Sequence, residues 1–180
     1  MIEQLPISGV KLIPLKRLTD TRGWFSETFR QTWIDDHKIP NDFIFEFWSH
    51  NIKKGTLRGL HSQANHMVPG KLVQVLTGSI QDVIVDARQS SDTYGQHISI
   101  TISATEPKLI YIPRGCYHGF VTLEDNTLVG YKVDQYHSAE QECGVAWNDT
   151  ALSIDWAVKD NLIISNRDHN NPTWEHAIKF

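Results

Sequence analysis

The sequence predicts an all-β protein, a jelly-roll-like barrel that closes with a short helical or irregular C-terminal segment. Three observations carry that expectation. Between residues 71 and 134, short apolar runs bounded by turn residues follow one another at roughly ten-residue spacing, the rhythm of a sandwich or small barrel. Two of these runs, 71–76 and 79–86, flank Thr77-Gly78, which is a hairpin signal. The rhythm breaks only after Trp147-Asn148-Asp149, where 151–158 and 161–168 look irregular or weakly helical.

The elements follow in order. Residues 9–15 read as a strand ending at proline, and Asp20-Thr21-Arg22-Gly23 as a turn. A short aromatic strand covers 24–29, and 30–38 suit one short helix. In 42–51, Phe43, Phe45 and Phe47 alternate with Ile44, Glu46 and Trp48, a strand pattern. After the 71–86 hairpin, Ile98, Ile100 and Ile102 alternate with polar residues. Three more strands are expected at 108–112, 119–123 and 127–134. No linker or internal repeat divides the chain, so 1–180 is expected to be one domain.

Composition narrows the function classes. A chain of 180 residues suits one domain with a sizeable core. A net charge of −4 argues against nucleic acid as a partner but leaves room for a local cationic pocket and a small anion. Cys116 and Cys143 are too few for a disulfide framework and suit a reducing cytosol. The N-terminus lacks the basic and apolar regions of a signal peptide, and no apolar run is long enough to span a membrane. A cytoplasmic protein without membrane partners is therefore expected.

Strand parity selects the candidates for chemistry. Thr56-Leu57-Arg58-Gly59-Leu60-His61-Ser62-Gln63 places a cation, an imidazole and an amide close together. Taken alone, it reads as a core histidine beside a surface arginine. His61 and Gln63 share a face while Arg58 falls on the other, so only a bulge at Gly59 would unite them. Lys71 shares a face with Val73 and Val75, and an inward lysine needs an anion or a carboxylate. Tyr131, in line with Val129 and Val133, points inward, as a barrel tyrosine with its hydroxyl at the rim or as a reactive phenol. His118, in line with Phe120, caps the preceding turn or faces a ligand. Cys116 has no visible activating neighbour and is a poor candidate nucleophile.

Pro113-Arg114-Gly115-Cys116-Tyr117-His118 resembles the second cupin motif, but His61-Ser62-Gln63 lacks the second His and the Glu of the first. Two imidazoles fall short of the three ligands usual for a catalytic metal, so no metal is expected. Further motifs are Asp-x-Arg-Gly-x-Phe-x-Glu at 20–27, Gly-Thr-Leu-Arg-Gly-Leu-His-x-Gln at 55–63, Lys-Leu-Val at 71–73 and Asp-Val-x-Val-Asp-x-Arg at 82–88. Ile-Pro-x-Gly-x-x-His-Gly-Phe at 112–120, Tyr-Lys at 131–132 and Trp-Asn-Asp at 147–149 complete the set. In this order and together, they make the chain resemble the dTDP-4-dehydrorhamnose 3,5-epimerase family.

The resemblance implies a metal-free, cofactor-free cupin-like fold, usually a homodimer, that epimerises a nucleotide-diphosphate 4-keto sugar in deoxysugar biosynthesis. It assigns His61 as base, Asp168 as its orienting carboxylate and Tyr131 as acid. Lys71 would lie near the keto oxygen. Arg22, Glu27, Arg58, Gln63, His118, Tyr136, Glu142 and Arg167 would line the site, with the Arg22 segment crossing to the neighbouring subunit. Phe45 and Phe47 stand at this site, with Glu46 between them, where the family usually carries Gln-Asp-Asn near 45–47. Ser62 replaces an aromatic residue, and His137 replaces a tyrosine. Three other readings remain compatible with the residues: a sugar-nucleotide ketoisomerase on the same scaffold, a metal-dependent cupin enzyme and a non-catalytic sugar-binding barrel.

Overall fold

The computed structural model describes residues 3–39 and 42–180; Met1, Ile2, Pro40 and Asn41 lie outside the described residues. The chain folds into two packed antiparallel sheets, as expected. The strands are β1 (Glu3–Gln4), β2 (Lys11–Pro14), β3 (Arg17–Asp20), β4 (Gly23–Ser26), β5 (Phe45–Asn51), β6 (Thr56–Gln63), β7 (Lys71–Thr77) and β8 (Ser79–Asp86). They continue as β9 (His97–Ser103), β10 (Lys108–Ile112), β11 (Cys116–Thr122), β12 (Thr127–Val133), β13 (Glu142–Gly144) and β14 (Ile163–Ile164). Helices are α1 (Gln31–Asp36) and α2 (Asn166–His169). No helix among the described residues is long and apolar enough to cross a membrane.

One sheet has the order β1-β2-β10-β7-β12-β5, and the other β13-β6-β11-β8-β9, with β14 added parallel to β6. Between them lies a core that includes Val73, Ile84, Ile110, Phe120 and Val129. Each fully buried aliphatic or aromatic side chain of this kind contributes roughly 1.5–3 kcal/mol. The outer face of the β7–β10 sheet is covered by α1, whose Ile34 packs on Ile13, Leu72 and Leu109.

The C-terminal segment covers the outer face of the other sheet, which explains why β8 is buried along its whole length. Val83 and Val85 meet Leu152 and Trp156 on that face, while Ile80 and Ile84 face the inter-sheet core. Gln81 ties the segment down. Its amide donates to Asp155 O at 2.8 Å and accepts from Ala157 N at 2.6 Å. The segment looks irregular in sequence because single bonds of this sort, rather than a ladder, satisfy its backbone.

Several boundaries differ from expectation. The strand placed at 24–29 is shorter, Gly23–Ser26, and pairs with β3, which sequence alternation did not reveal. The Asp20 carboxylate closes the intervening turn by accepting from Arg22 N at 2.8 Å. The strand at 42–51 starts at Phe45, and 161–168 contains the two-residue β14 and the start of α2. β13 was not anticipated; three residues, Glu-Cys-Gly, carry too little pattern.

Candidate active site

Strand β6 supplies the centre of the site. Against β11 it pairs Arg58 with Phe120 and His61 with His118, so three steps on β6 match two on β11. This is the bulge at Gly59 that Arg58 and His61 needed to share a face. Gly59 has φ +114°, and a Cβ there would lie 2.6 Å from Gly119 Cα and 2.8 Å from His118 O. Only glycine permits both the dihedral and the contact. The Gly59–Leu60 peptide is cis.

Asp168 comes from the C-terminal segment. The parallel pairing of Ile163 with Thr56 and Ile164 with Leu57 lays that segment along β6. Ser165 then caps α2 by accepting from Asp168 N at 3.1 Å. The Asp168 carboxylate meets His61 Nε2 at 2.5 Å and accepts from Gly59 N at 3.1 Å. Burial alone would raise its pKa; the bonds from His61, Gly59 and Ser165 outweigh burial and hold it below the usual carboxylate value.

A second imidazole–carboxylate pair lies deeper. His118 Nε2 meets Asp82 Oδ1 at 2.6 Å, and both residues are buried. Asp82 was not singled out as a site residue. Its place between Ile80 and Ile84 on one strand face was the available signal.

The other sheet supplies Lys71 and Tyr131. Lys71 Nζ donates to His61 O at 3.3 Å. Burial lowers its pKa from 10.5 to about 8, against the opposing pull of Cys143, Asp82, Cys116 and Glu142. Tyr131 is buried, with Phe47 stacked on its ring at 4.6 Å and 10° and His118 edge-on at 6.1 Å. Burial first and Asp82 second raise its pKa, so it remains a neutral phenol; the Ser49 hydroxyl and Arg58 oppose them. Cys116 is buried and its thiol is pushed up to about 12 by burial, which makes it inert.

These groups face one cavity of about 710 Å³, lined by residues of both sheets and of the C-terminal segment. Among the described residues, no group of three His, Cys, Asp or Glu is placed to hold a metal ion.

The family model described as dTDP-4-dehydrorhamnose 3,5-epimerase matches residues 4–176. The chain belongs to the dTDP-4-dehydrorhamnose 3,5-epimerase family. It is 36% identical to the dTDP-4-dehydrorhamnose 3,5-epimerase of Sinorhizobium fredii, an alignment covering 95% of this chain and 88% of that one. The crystal structure of the Bacillus anthracis enzyme with TDP and pyrophosphate bound superposes with a TM-score of 0.93 at 36% identity, covering 96% of this chain and 98% of that one. The Legionella pneumophila enzyme in complex with dTDP-4-keto-L-rhamnose gives a TM-score of 0.93 at 33% identity, covering 98% and 93%. The chain is thus an isomerase with the fold of these epimerases.

In this epimerase the remaining candidates fall into three groups. Arg58, Gln63, Glu142, Arg167, Phe45 and Phe47 line the cavity. Arg58 Nε donates to Asn51 Oδ1 at 2.7 Å, and Glu142 pairs with Arg167 and lies 3.5 Å from His137 Nε2. The Gln63 amide is engaged with the backbone of Met67, Tyr136 and Ser138, so it fastens two loops of the wall. Tyr136 touches Phe45 at 6.0 Å but is outside the lining, mostly exposed. Arg22 and Glu27 are not brought to this cavity by their own chain. Arg22 pairs with Asp20 on the exposed β3–β4 hairpin, and Glu27 pairs with Arg30 beside a separate groove. Asn51, which holds Arg58, was missed; it shares the cavity face of β5 with Phe45 and Phe47 by parity.

Proposed function

We propose that this enzyme inverts C3, C5 or both in a dTDP-linked 4-keto-6-deoxy sugar, through an enolate, as a single-domain cytoplasmic homodimer in deoxysugar biosynthesis. The observation that carries the reading is the His61–Asp168 pair on one sheet and the Tyr131 phenol on the other, facing the same cavity. The C3 and C5 protons of such a sugar are acidic because the carbanion's electron pair moves onto O4. With Nε2–H donating to Asp168, His61 keeps a lone pair on Nδ1 for the carbon acid. The Lys71 ammonium would meet the charge growing on O4, an effect worth roughly 3 kcal/mol. Tyr131 O–H would protonate the carbon on the opposite face, restoring the ketone with inverted configuration. Arg58 and Arg167 would hold the diphosphate and so position the sugar. No metal or cofactor enters these steps.

The test is to incubate the enzyme with 4-keto nucleotide sugars in D₂O and follow label and configuration by NMR. Deuterium at C3 or C5 with inversion is the expected result. A ketone moved from C4 to C3 would show a ketoisomerase instead, and an absence of both exchange and isomerisation would leave only a sugar-binding barrel.

Lys71 makes the reaction pH-dependent in a stated direction. The ammonium is the competent form, so Lys71 sets the alkaline limb, and kcat/KM should fall above about pH 8. Lys71→Arg, which stays charged, should move that alkaline fall upward; an unmoved limb would detach it from Lys71. The same lowered pKa acts on stability with opposite sense. The buried charge opposes folding below about pH 8, and the penalty fades as pH rises towards 10.5.

The homodimer reading is supported by the β3–β4 hairpin, where Leu18, Trp24 and Phe25 are 54%, 58% and 64% exposed. In a two-fold dimer this hairpin would be covered, and Arg22 and Glu27 could serve the neighbour's cavity. Sedimentation should give a dimer, and Trp24→Glu with Phe25→Glu should give inactive monomers; a fully active monomer would defeat the reading.

A further inference from the structure

We propose that Phe47 and Ser49, alternate residues of β5, form a clamp that positions the Tyr131 phenol for proton delivery. The inference deepens the proposed function and rests on Tyr131 as its acid. The register of the β5–β12 pair sets Phe47 opposite Tyr131 and Ser49 opposite Val129, so both β5 side chains fall on the cavity face that Tyr131 uses. Phe47 lies over the phenol nearly parallel, 4.6 Å between centroids and 10° between planes. Phe45 backs Phe47 at 5.5 Å. The Ser49 hydroxyl is buried and has no hydrogen-bond partner in the structure, yet it lies near enough to the phenol to oppose the rise in the Tyr131 pKa.

β5 itself is held to this task. It is the terminal strand of its sheet, bonded on one side to β12. Asn51 strengthens that bond by donating from Nδ2 to Thr127 O at 3.1 Å and to Ser49 O at 3.2 Å. The two contacts on Tyr131 do different work. A parallel ring resists tilting of the phenol and keeps water from one of its faces, where water could protonate the enolate without stereochemical control. The unpartnered Ser49 hydroxyl is placed to donate to the phenol oxygen when substrate binds, which would leave the phenol proton directed at the cavity. Proton transfer needs this, since a displacement of about 1 Å is enough to cost about a hundredfold in rate. Phe45 and Phe47, on one face of β5, are the residues that build the stack.

The test reads a ratio. In D₂O with dTDP-4-dehydro-6-deoxyglucose, labelled sugar of inverted configuration is divided by labelled sugar of retained configuration. Only molecules that have lost a proton to His61 enter the ratio, so weaker binding or partial unfolding leaves it unchanged. Phe47→Leu keeps bulk but loses the plane, and Ser49→Ala loses the hydroxyl. Each should lower the ratio about two- to tenfold, the effect of one aromatic stack or one hydroxyl contact. Phe47→Tyr and Ser49→Thr should restore it. Tyr131→Phe is the reference. If it loses inversion while Phe47→Leu and Ser49→Ala leave the ratio at the wild-type value, the clamp is overturned and the acid stands. If Tyr131→Phe keeps inversion, the acid assignment fails and the clamp fails with it.

Discussion

Replacing His61 by Asn should reduce exchange of the sugar's C3 and C5 protons with solvent to the uncatalysed background, a loss of at least about 10²–10⁴-fold. Asparagine is too short to take over the Nε2 contact, but the Asp168 carboxylate keeps its bond from Gly59 N, and the site is partly open, with the His61 side chain 30% exposed. The fold and the cavity should therefore persist, and substrate should still bind. What disappears is the basic nitrogen. The second imidazole that this sheet brings to the cavity, His118, is buried against Asp82 and is poorly placed to substitute. Deuterium wash-in measured by NMR decides the matter. Undiminished incorporation by the variant would transfer the base to another group, His118 first.

Tyr131→Phe should separate two events that the wild-type enzyme joins. His61 can still take the proton and Lys71 can still hold the enolate, because neither bonds to the phenol. The enolate then returns mainly by reprotonation from His61 on the original face. Since that imidazolium exchanges with water, deuterium still enters the sugar with retained configuration. Inversion should fall by about 10²–10⁴-fold. Retained inversion at the wild-type rate would name another acid. His137 would then come before Tyr136, because His137 lines the cavity and Tyr136 does not. Loss of both exchange and inversion in a folded, ligand-binding variant would mean that the hydroxyl acts before enolisation.

The barrel was legible wherever strands are long and half-buried. The 71–86 hairpin and the strands at 108–112 and 127–134 fell where alternation and turn residues placed them, while the strand expected at 119–123 begins three residues earlier, at Cys116. The bulge was legible for a different reason: Arg58 and His61 have opposite parity, and Gly59 offered a way to reconcile them. Asp82 was illegible because its partner, His118, sits 36 residues away, and parity marks a face without naming a contact. β3 was lost because Arg17-Leu18-Thr19-Asp20 is mostly exposed, so no apolar alternation records it. Asp168 was reached through the family resemblance alone. Its role depends on a short parallel pairing, β14 on β6, which leaves almost no trace in composition.

The division of the proposed chemistry between two sheets has a consequence for how such an enzyme adapts. His61 and His118 ride on one sheet, Lys71 and Tyr131 on the other. The gap that a sugar must fit is therefore gauged by residues such as Ile84 and Ile110, which are fully buried in the layer between the sheets. That layer is as dense as an organic crystal, so one methylene more or less is transmitted as displacement rather than absorbed. A lineage changing its sugar can thus retune the jaw from the hinge side, with every catalytic residue untouched. Variants selected for a bulkier ring should carry substitutions in this layer as often as at the cavity wall.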